Sequence, residues 1–275
     1  MTRLLVSQSL FGSTLTEAQL RYRAQIEYDG TAYFGFQRQR DDQPTIQSEL
    51  EKAISRLSET KVTVHGAGRT DSGVHAWGQV VAFDLEWRHG EEVLLRAVNA
   101  HLPPDIAVQS LAVVAATFHP RYAALRRAYE YVIYNAPIRS ALRRQRAWQV
   151  NWPLAIERMN DAAALLLGTH DFATFGQPPE GENTVRHVYQ AQWRGRDAEL
   201  IFTIEANAFL YRMVRSLVGT LVEVGSGKLS VAQFQDALQA QDRAQAGTTA
   251  PAHGLFLRRL RGGEPRQTTI PVSTP

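Results

Sequence analysis

The feature that most restricts this chain is an order of strands and helices that occurs twice. Tyr22, Ala24, Ile26 and Tyr28 alternate with Arg23, Gln25 and Glu27, the mark of a half-buried strand. From Thr45 onward, Ile46, Leu50, Ile54 and Leu57 recur at helical spacing. Val62 and Val64 predict a second strand. Val81, Phe83, Leu85 and Trp87, alternating with Asp84, Glu86 and Arg88, predict a third. A helix from Glu91 turns Leu94, Val98 and Leu102 inward and ends at Pro103-Pro104, and a strand over 106–114 closes the unit. The succession then returns. A strand over 129–135 precedes a helix with Pro153 in its first turn and its end near Gly168. Strands over 184–194 and 198–206 flank Gly195-Arg196-Asp197, and a helix after Ala208 carries Leu210, Met213, Val214, Leu217 and Leu221 on one stripe. Ser230 with Gln233 makes a capping box for a further helix, and Gly254–Leu260 reads as a last strand. Each half is β-α-β-β-α-β, the ferredoxin-like or RRM-like order, which places the chain in the α+β class.

A chain of 275 residues has ample material for a core, as one large domain or two modest ones. It has no cysteine, so disulfides and thiol chemistry are excluded. Ser7, Gln8, Ser9 and Gly12 interrupt the apolar residues of the N-terminus, leaving neither a signal-peptide core nor a membrane span, so the expected compartment is the cytoplasm. The net charge of +3 says little about partners. Its distribution says more. Arg121, Arg126, Arg127, Arg139, Arg143, Arg144 and Arg146 fall in a segment whose only acid is Glu130, with Tyr122, Tyr129, Tyr131 and Tyr134 among them. Arginines interleaved with aromatics suit phosphate contacts and base stacking, although any one of them reads equally well as solvated surface.

The chemistry concentrates in residues 66–79, Gly-Ala-Gly-Arg-Thr-Asp-Ser-Gly-Val-His-Ala-Trp-Gly-Gln. This polar stretch interrupts two strands and is long for a plain hairpin. Asp71 stands among Gly66, Gly68, Gly73 and Gly78, which permit sharp turns and the close approach of a ligand. Arg69 precedes it by two positions and His75 follows by four. Asp-Ser-Gly alone is ordinary turn composition. A dinucleotide fingerprint fails because position 71 is Asp where a third Gly is required. His65, Asp71 and His75 lack a metal-ligand spacing.

The whole string resembles the active-site loop of the tRNA pseudouridine synthase A (TruA) family, Gly-Arg-Thr-Asp-Ala-Gly-Val-His, with Ser72 in place of the usual Ala. Other segments match in the same order: Tyr28-Asp29-Gly30-Thr31, then Tyr33 to Gln39 with Phe36 in place of a usual Trp, Thr45-Ile46-Gln47, Tyr129-Glu130-Tyr131, and Ala206 to Arg215. The match runs from residue 21 to residue 262. It divides the chain into an N-terminal extension (1–20), a half carrying the Asp loop (21–118), a second half (119–262) and a tail (263–275). The resemblance implies two ferredoxin-like/RRM-like halves that share a mostly antiparallel sheet flanked by helices, with a central active-site cleft. It also implies an isomerase acting on uridines 38, 39 and 40 of the tRNA anticodon arm, working as a homodimer.

Pseudouridine formation breaks the bond between uracil N1 and ribose C1′ and rejoins the base through C5. No net redox change occurs and no water is consumed, so neither cofactor nor metal is required. Charge developing at C1′ calls for a carboxylate, as in retaining glycosidases. Asp71 is the candidate; attack at C1′, attack at C6 and removal of a ribose proton all remain open to it. Arg215 borders the apolar stripe of its helix, between Tyr211 and Val222, whereas Arg212 points away. An arginine drawn toward a core needs an anion, and the resemblance makes Asp71 that anion. By the same resemblance Tyr129 stacks on the uracil, and Arg69 fills the space left by a flipped nucleotide. Two other readings compete. A non-catalytic RRM-like RNA-binding protein would carry aromatic strings on its middle strands, and these are missing. A glycoside hydrolase would need a second acid, for which only Asp84 and Glu86 are near in sequence.

Overall fold

A computed structural model describes residues 19–39, 43–58, 60–178 and 181–258. Most of the N-terminal extension and all of the tail expected from sequence lie outside those residues. β1 (Leu20–Tyr28) buries Tyr22, Ala24, Ile26 and Tyr28, the set its alternation selects. α1 (Ile46–Ser55) begins at a capping box in which Thr45 and Ser48 satisfy each other's backbone N–H. β2 is only His65–Gly66; Val62 and Val64 are buried but precede it. β3 (His75–Leu85), α2 (Glu91–His101) and β4 (Ile106–Val114) complete the first unit, and α3 (Pro120–Ala123) lies in the crossover.

The second unit comprises β5 (Arg127–Asn135), β6 (Trp148–Val150), α4 (Ile156–Ala164), β7 (Gly168–Asp171), β8 (Val185–Arg196), β9 (Glu199–Ala206), α5 (Met213–Gly225), α6 (Val231–Ala240) and β10 (Leu255–Leu257). Two helices start later than their sequence suggests. The Ala155 N–H donates to the Gly225 carbonyl at 2.9 Å, so the chain is tethered to the end of α5 before α4 can begin, and Pro153 precedes the helix. Before α5, the Ala208 N–H donates to the Asn207 side chain and the Tyr211 N–H to the Gln177 carbonyl. Arg212, in the left-handed region at φ 60°, turns the chain into the helix. Tyr211 therefore lies outside α5 and is half exposed, so it does not flank Arg215 on a helical stripe as expected. Of the expected last strand, residues 259 and 260 lie outside the described part.

The ten strands of the described residues form one sheet in the order β4-β1-β3-β10-β5-β9-β8-β7, with β2 on β3 and β6 on β5. The halves repeat one arrangement, β4-β1-β3-β2 and β10-β5-β9-β8, in which the last strand lies beside the first and the third beside the second. β10 and β3 join them in parallel, Phe256 opposite His75 and Leu257 opposite Ala76. β2 uses the same edge of β3 farther along, at Val81 and Ala82. Between the two contacts the β2–β3 loop, residues 67–74, leaves the sheet. α5 is buried almost all round, Arg215 and Glu223 being its only residues with appreciable exposure. Among the described residues no helix is long and apolar enough to cross a membrane.

His75 locks this junction. Its Nδ1 accepts the Gly30 N–H at 3.0 Å, which leaves the proton on Nε2, 2.9 Å from the Gln145 carbonyl and 3.2 Å from that of His253. The ring stacks on Phe256 at 4.7 Å. Burial holds its pKa below the ordinary value, against the pull of Asp29 and the two carbonyls. The unfolded chain binds a proton at this histidine near pH 6.5 while the folded chain still excludes it. Stability from this group is therefore complete above about pH 6.5 and declines as pH falls below it. Thermal unfolding of the wild type and of His75→Gln between about pH 7.5 and about pH 5.5 checks this, with a smaller decline expected in the variant.

Candidate active site

The turn that follows β1 sets the position of Asp71. The Thr70 carbonyl accepts the Phe36 N–H at 3.1 Å, and the Thr70 hydroxyl bonds the Tyr28 hydroxyl at 2.8 Å. On the other side, the Tyr33 carbonyl accepts from the Ser72 hydroxyl at 3.2 Å and the Gly73 N–H at 3.3 Å. The loop is thus held at residues 70, 72 and 73, and the Asp71 side chain projects between the anchors. Glycine permits this approach from both directions. Gly35 sits at φ +90°, where a Cβ would stand 2.8 Å from the Thr70 carbonyl, and a Cβ on Gly66 would run into the Phe36 ring. Sequence suggested that the loop glycines make room for a ligand. At Gly66 the room is taken by Phe36 and a Cβ on Gly73 would meet Ala252 at 3.4 Å, whereas Gly68 has open space, its nearest neighbour being Arg127 Nε at 4.0 Å.

Arg215 reaches Asp71 from the second half. Its Nη1 lies 3.3 Å from Asp71 Oδ2, and its Nε donates to the Ala250 carbonyl at 2.8 Å, while the Ala250 N–H returns a bond to the Arg215 carbonyl at 3.0 Å. The Arg215 side chain is 16% exposed and that of Asp71 21% exposed. The carboxylate is thus sheltered yet still open to a ligand. Tyr129, on β5, is nearly buried and packs edge-to-face on Phe209 at 5.1 Å. Burial, with the charge of Asp71 acting in the same direction and Arg127 opposing, pushes its pKa up to about 12. The hydroxyl is therefore protonated at neutral pH and able to donate. Arg69 is exposed on the same cleft, and it makes no ion pair or hydrogen bond to the other described residues.

All four residues proposed from sequence line one cleft of about 1280 Å³. That exceeds the roughly 300–1,000 Å³ of small-molecule pockets. Asp71 is the only acid among the described residues lining it, while Arg38, Arg69, Arg121, Arg127, Arg186 and Arg212 stand around it with Arg215. Such walls attract a polyanion. Asp84, weighed as a second acid for glycoside hydrolysis, is clamped by Arg21 at 2.7 and 2.6 Å and does not line the cleft. No group of three or more potential metal ligands occurs among the described residues. The arginine-rich segment 121–146 does not form one strip. Arg126 pairs with Glu205, Arg143 with Glu199 and Arg146 with Asp29, acids that lie far off in sequence.

Sequence reasoning counted Arg127 only as one member of a phosphate-binding strip and gave no role to Arg186. Arg127 donates to the carbonyls of Ala67, Arg121 and Asn207 at 3.0–3.1 Å, tying the Asp71 loop to the crossover and to the turn before α5. Its place two residues before Tyr129 on one face of a strand was the available signal. For Arg186 there was none.

The sequence model of the tRNA pseudouridine synthase family matches residues 24–123 and 162–261. The chain is 42% identical over 245 residues to a tRNA pseudouridine synthase A of Streptococcus pneumoniae (strain Taiwan19F-14), covering 88% of this chain and 98% of that protein. The same figures hold for the tRNA pseudouridine synthase A of Streptococcus pneumoniae (strain Hungary19A-6). Among solved structures, an archaeal box H/ACA sRNP Nop10–Cbf5 complex aligns over 87% of this chain and 48% of its own at 14% identity, with a TM-score of 0.35. A likeness of that size carries no residue-level detail.

The loop geometry makes one prediction about stability. Gly35→Ala places a Cβ at positive φ and against the Thr70 carbonyl. Urea unfolding should show a loss of about 1–3 kcal/mol. An unchanged midpoint would mean that the Asp71 loop is not built on this turn.

Proposed function

The chain belongs to the tRNA pseudouridine synthase A family, and on that premise we propose that it converts uridine to pseudouridine at positions 38, 39 and 40 of the tRNA anticodon arm. The observation that carries this reading is the 3.3 Å contact of Arg215 with Asp71, the only acid among the described residues of an arginine-lined cleft. The N1–C1′ bond breaks, the base turns, C5 bonds to C1′, the C5 proton leaves and N1 gains a proton. Asp71 attacks C1′, attacks C6 or removes a ribose proton; each task needs an ionised carboxylate. Arg215 supplies the counter-charge and fixes its direction. Tyr129 stacks on the uracil and presents a protonated hydroxyl near the ring. Arg69, unpaired at the rim, enters the space the target nucleotide vacates, which helps offset unstacking.

The enzyme works in the cytoplasm, where its tRNA substrate is found, and as a homodimer. One cleft on a chain of net charge +3 offers limited grip on an L-shaped polyanion, and a second copy extends the surface.

Two measurements test the reading. Pseudouridine mapped in tRNA from cells with and without the gene should disappear at positions 38–40 and persist elsewhere; retention at all three would refute the assignment. In kinetics with unmodified tRNA, Arg215→Ala should lower kcat by at least about 100-fold with little change in tRNA affinity, the pattern of an interaction used at the reacting centre. Arg212→Ala removes an exposed cation of the cleft wall and should chiefly raise KM.

A further inference from the structure

Arg186 is a cation whose charge no described acid answers. It stands second on β8 and lines the same cleft as Asp71. Its Nη1 is committed, donating to the Asn183 carbonyl at 3.0 Å and the Val185 carbonyl at 2.6 Å. Nε is buried and has no acceptor, and Nη2 makes no bond to the described residues. Three other arginines each have an acid: Arg215 has Asp71, Arg126 has Glu205 and Arg143 has Glu199. Burial lowers the pKa of the Arg186 guanidinium, and no carboxylate pulls it back.

The two nitrogens left over are not an arbitrary pair. In a planar guanidinium, Nε–H and one Nη2–H lie side by side on the edge that matches two oxygens of a phosphate. A buried donor without an acceptor is costly until an acceptor arrives. The position of this edge is also fixed. The His187 N–H donates to the Asn207 side chain at 3.0 Å, and the Asn207 N–H donates to the His187 carbonyl at 3.0 Å. Asn207 lies in the turn that leads into α5 and accepts from Arg127 through its own carbonyl. Arg186 is thereby held in a constant relation to Arg215 and the carboxylate it touches.

We infer that Arg186 is a phosphate seat, whose Nε–Nη2 edge takes one backbone phosphodiester of the RNA strand that enters the cleft. The inference rests on reading the cleft as a tRNA site. A phosphate contact grips the strand without reading its sequence. It should therefore act on affinity rather than on the chemical step.

The test measures binding of an unmodified tRNA transcript across a salt series. Arg186→Gln should bind more weakly, and the slope of log K against log salt should be shallower by about 0.7–0.9, the loss of one phosphate. At saturating tRNA its kcat should match wild type. Arg186→Lys keeps the charge without the fork, so it should keep the slope and still bind more weakly. Arg194→Gln removes a charge from the exposed far end of the same strand and should leave both affinity and slope unchanged. Wild-type affinity and slope in Arg186→Gln would overturn the inference, as would an equal loss in Arg194→Gln. If Arg186→Gln does not fold, Arg186→Lys decides alone, and wild-type affinity in it overturns the inference. Pseudouridine formation by the wild type in the same preparations separates the two ideas. Binding without product refutes the proposed activity, whereas product with an unmoved slope refutes only the phosphate seat.

Discussion

The contact between Asp71 and Arg215 is the constraint on which the rest of the molecule turns, because its two members come from different halves of the fold. Asp71 rides on a loop between β2 and β3, and Arg215 on α5, 144 positions later. They meet because β10 returns to pair with β3 and joins the two sheets into one. The loop between α6 and β10 then passes close along α5. A Cβ on Gly219 would collide with the Thr248 carbonyl, so only glycine lets the chain cross the helix there. Two residues on, Ala250 exchanges bonds with both the backbone and the side chain of Arg215. The direction of the guanidinium is therefore set by the same segment that delivers β10 to the junction.

Electrostatics give this geometry its use. Asp71, the only acid among the described residues of the cleft, lies against Arg215, and the arginine walls draw in a polyanion. The Tyr129 hydroxyl is held protonated by burial and by the neighbouring carboxylate, so a carboxylate and a donor line one cleft. Arg127 links them. Sharing a strand with Tyr129, it spends three hydrogen bonds on backbone carbonyls, one of them at Ala67 in the Asp71 loop. Much of the cleft's positive charge is thus structural as well as attractive.

What could be read from sequence was what local chemistry dictates. The alternation from Tyr22 to Tyr28, the helical spacing that starts at Thr45, the capping box at Ser230, and the stripe from Met213 to Leu221 each specify an element from its own residues, and the structure contains all of them. Asp71 stood out through its loop, and Arg215 through its place beside an apolar stripe, although half of that argument fails because Tyr211 is not helical. Features set by distant partners were not legible. The start of α4 depends on the Gly225 carbonyl, the start of α5 on Gln177 and on the Asn207 side chain, and the brevity of β2 on how far β3 has an edge free for it. The arginines of segment 121–146 look like one basic strip in sequence because Glu199, Glu205 and Asp29, which pair with several of them, are remote. Arg186 is the opposite case. Its significance lies in what it lacks, and a missing partner leaves no trace in sequence.

The central claim is that Asp71 carries the isomerisation and that the fold holds its carboxylate in the cleft against Arg215. Tritium release tests it most directly, because C5 loses its hydrogen when it bonds to C1′. Purified wild-type protein and Asp71→Asn are incubated with tRNA labelled with tritium at uridine C5, and binding of the same tRNA is measured alongside. The account predicts release by the wild type without cleavage of the RNA chain, and tRNA binding but no release by Asp71→Asn. Release by Asp71→Asn at the wild-type rate would contradict it.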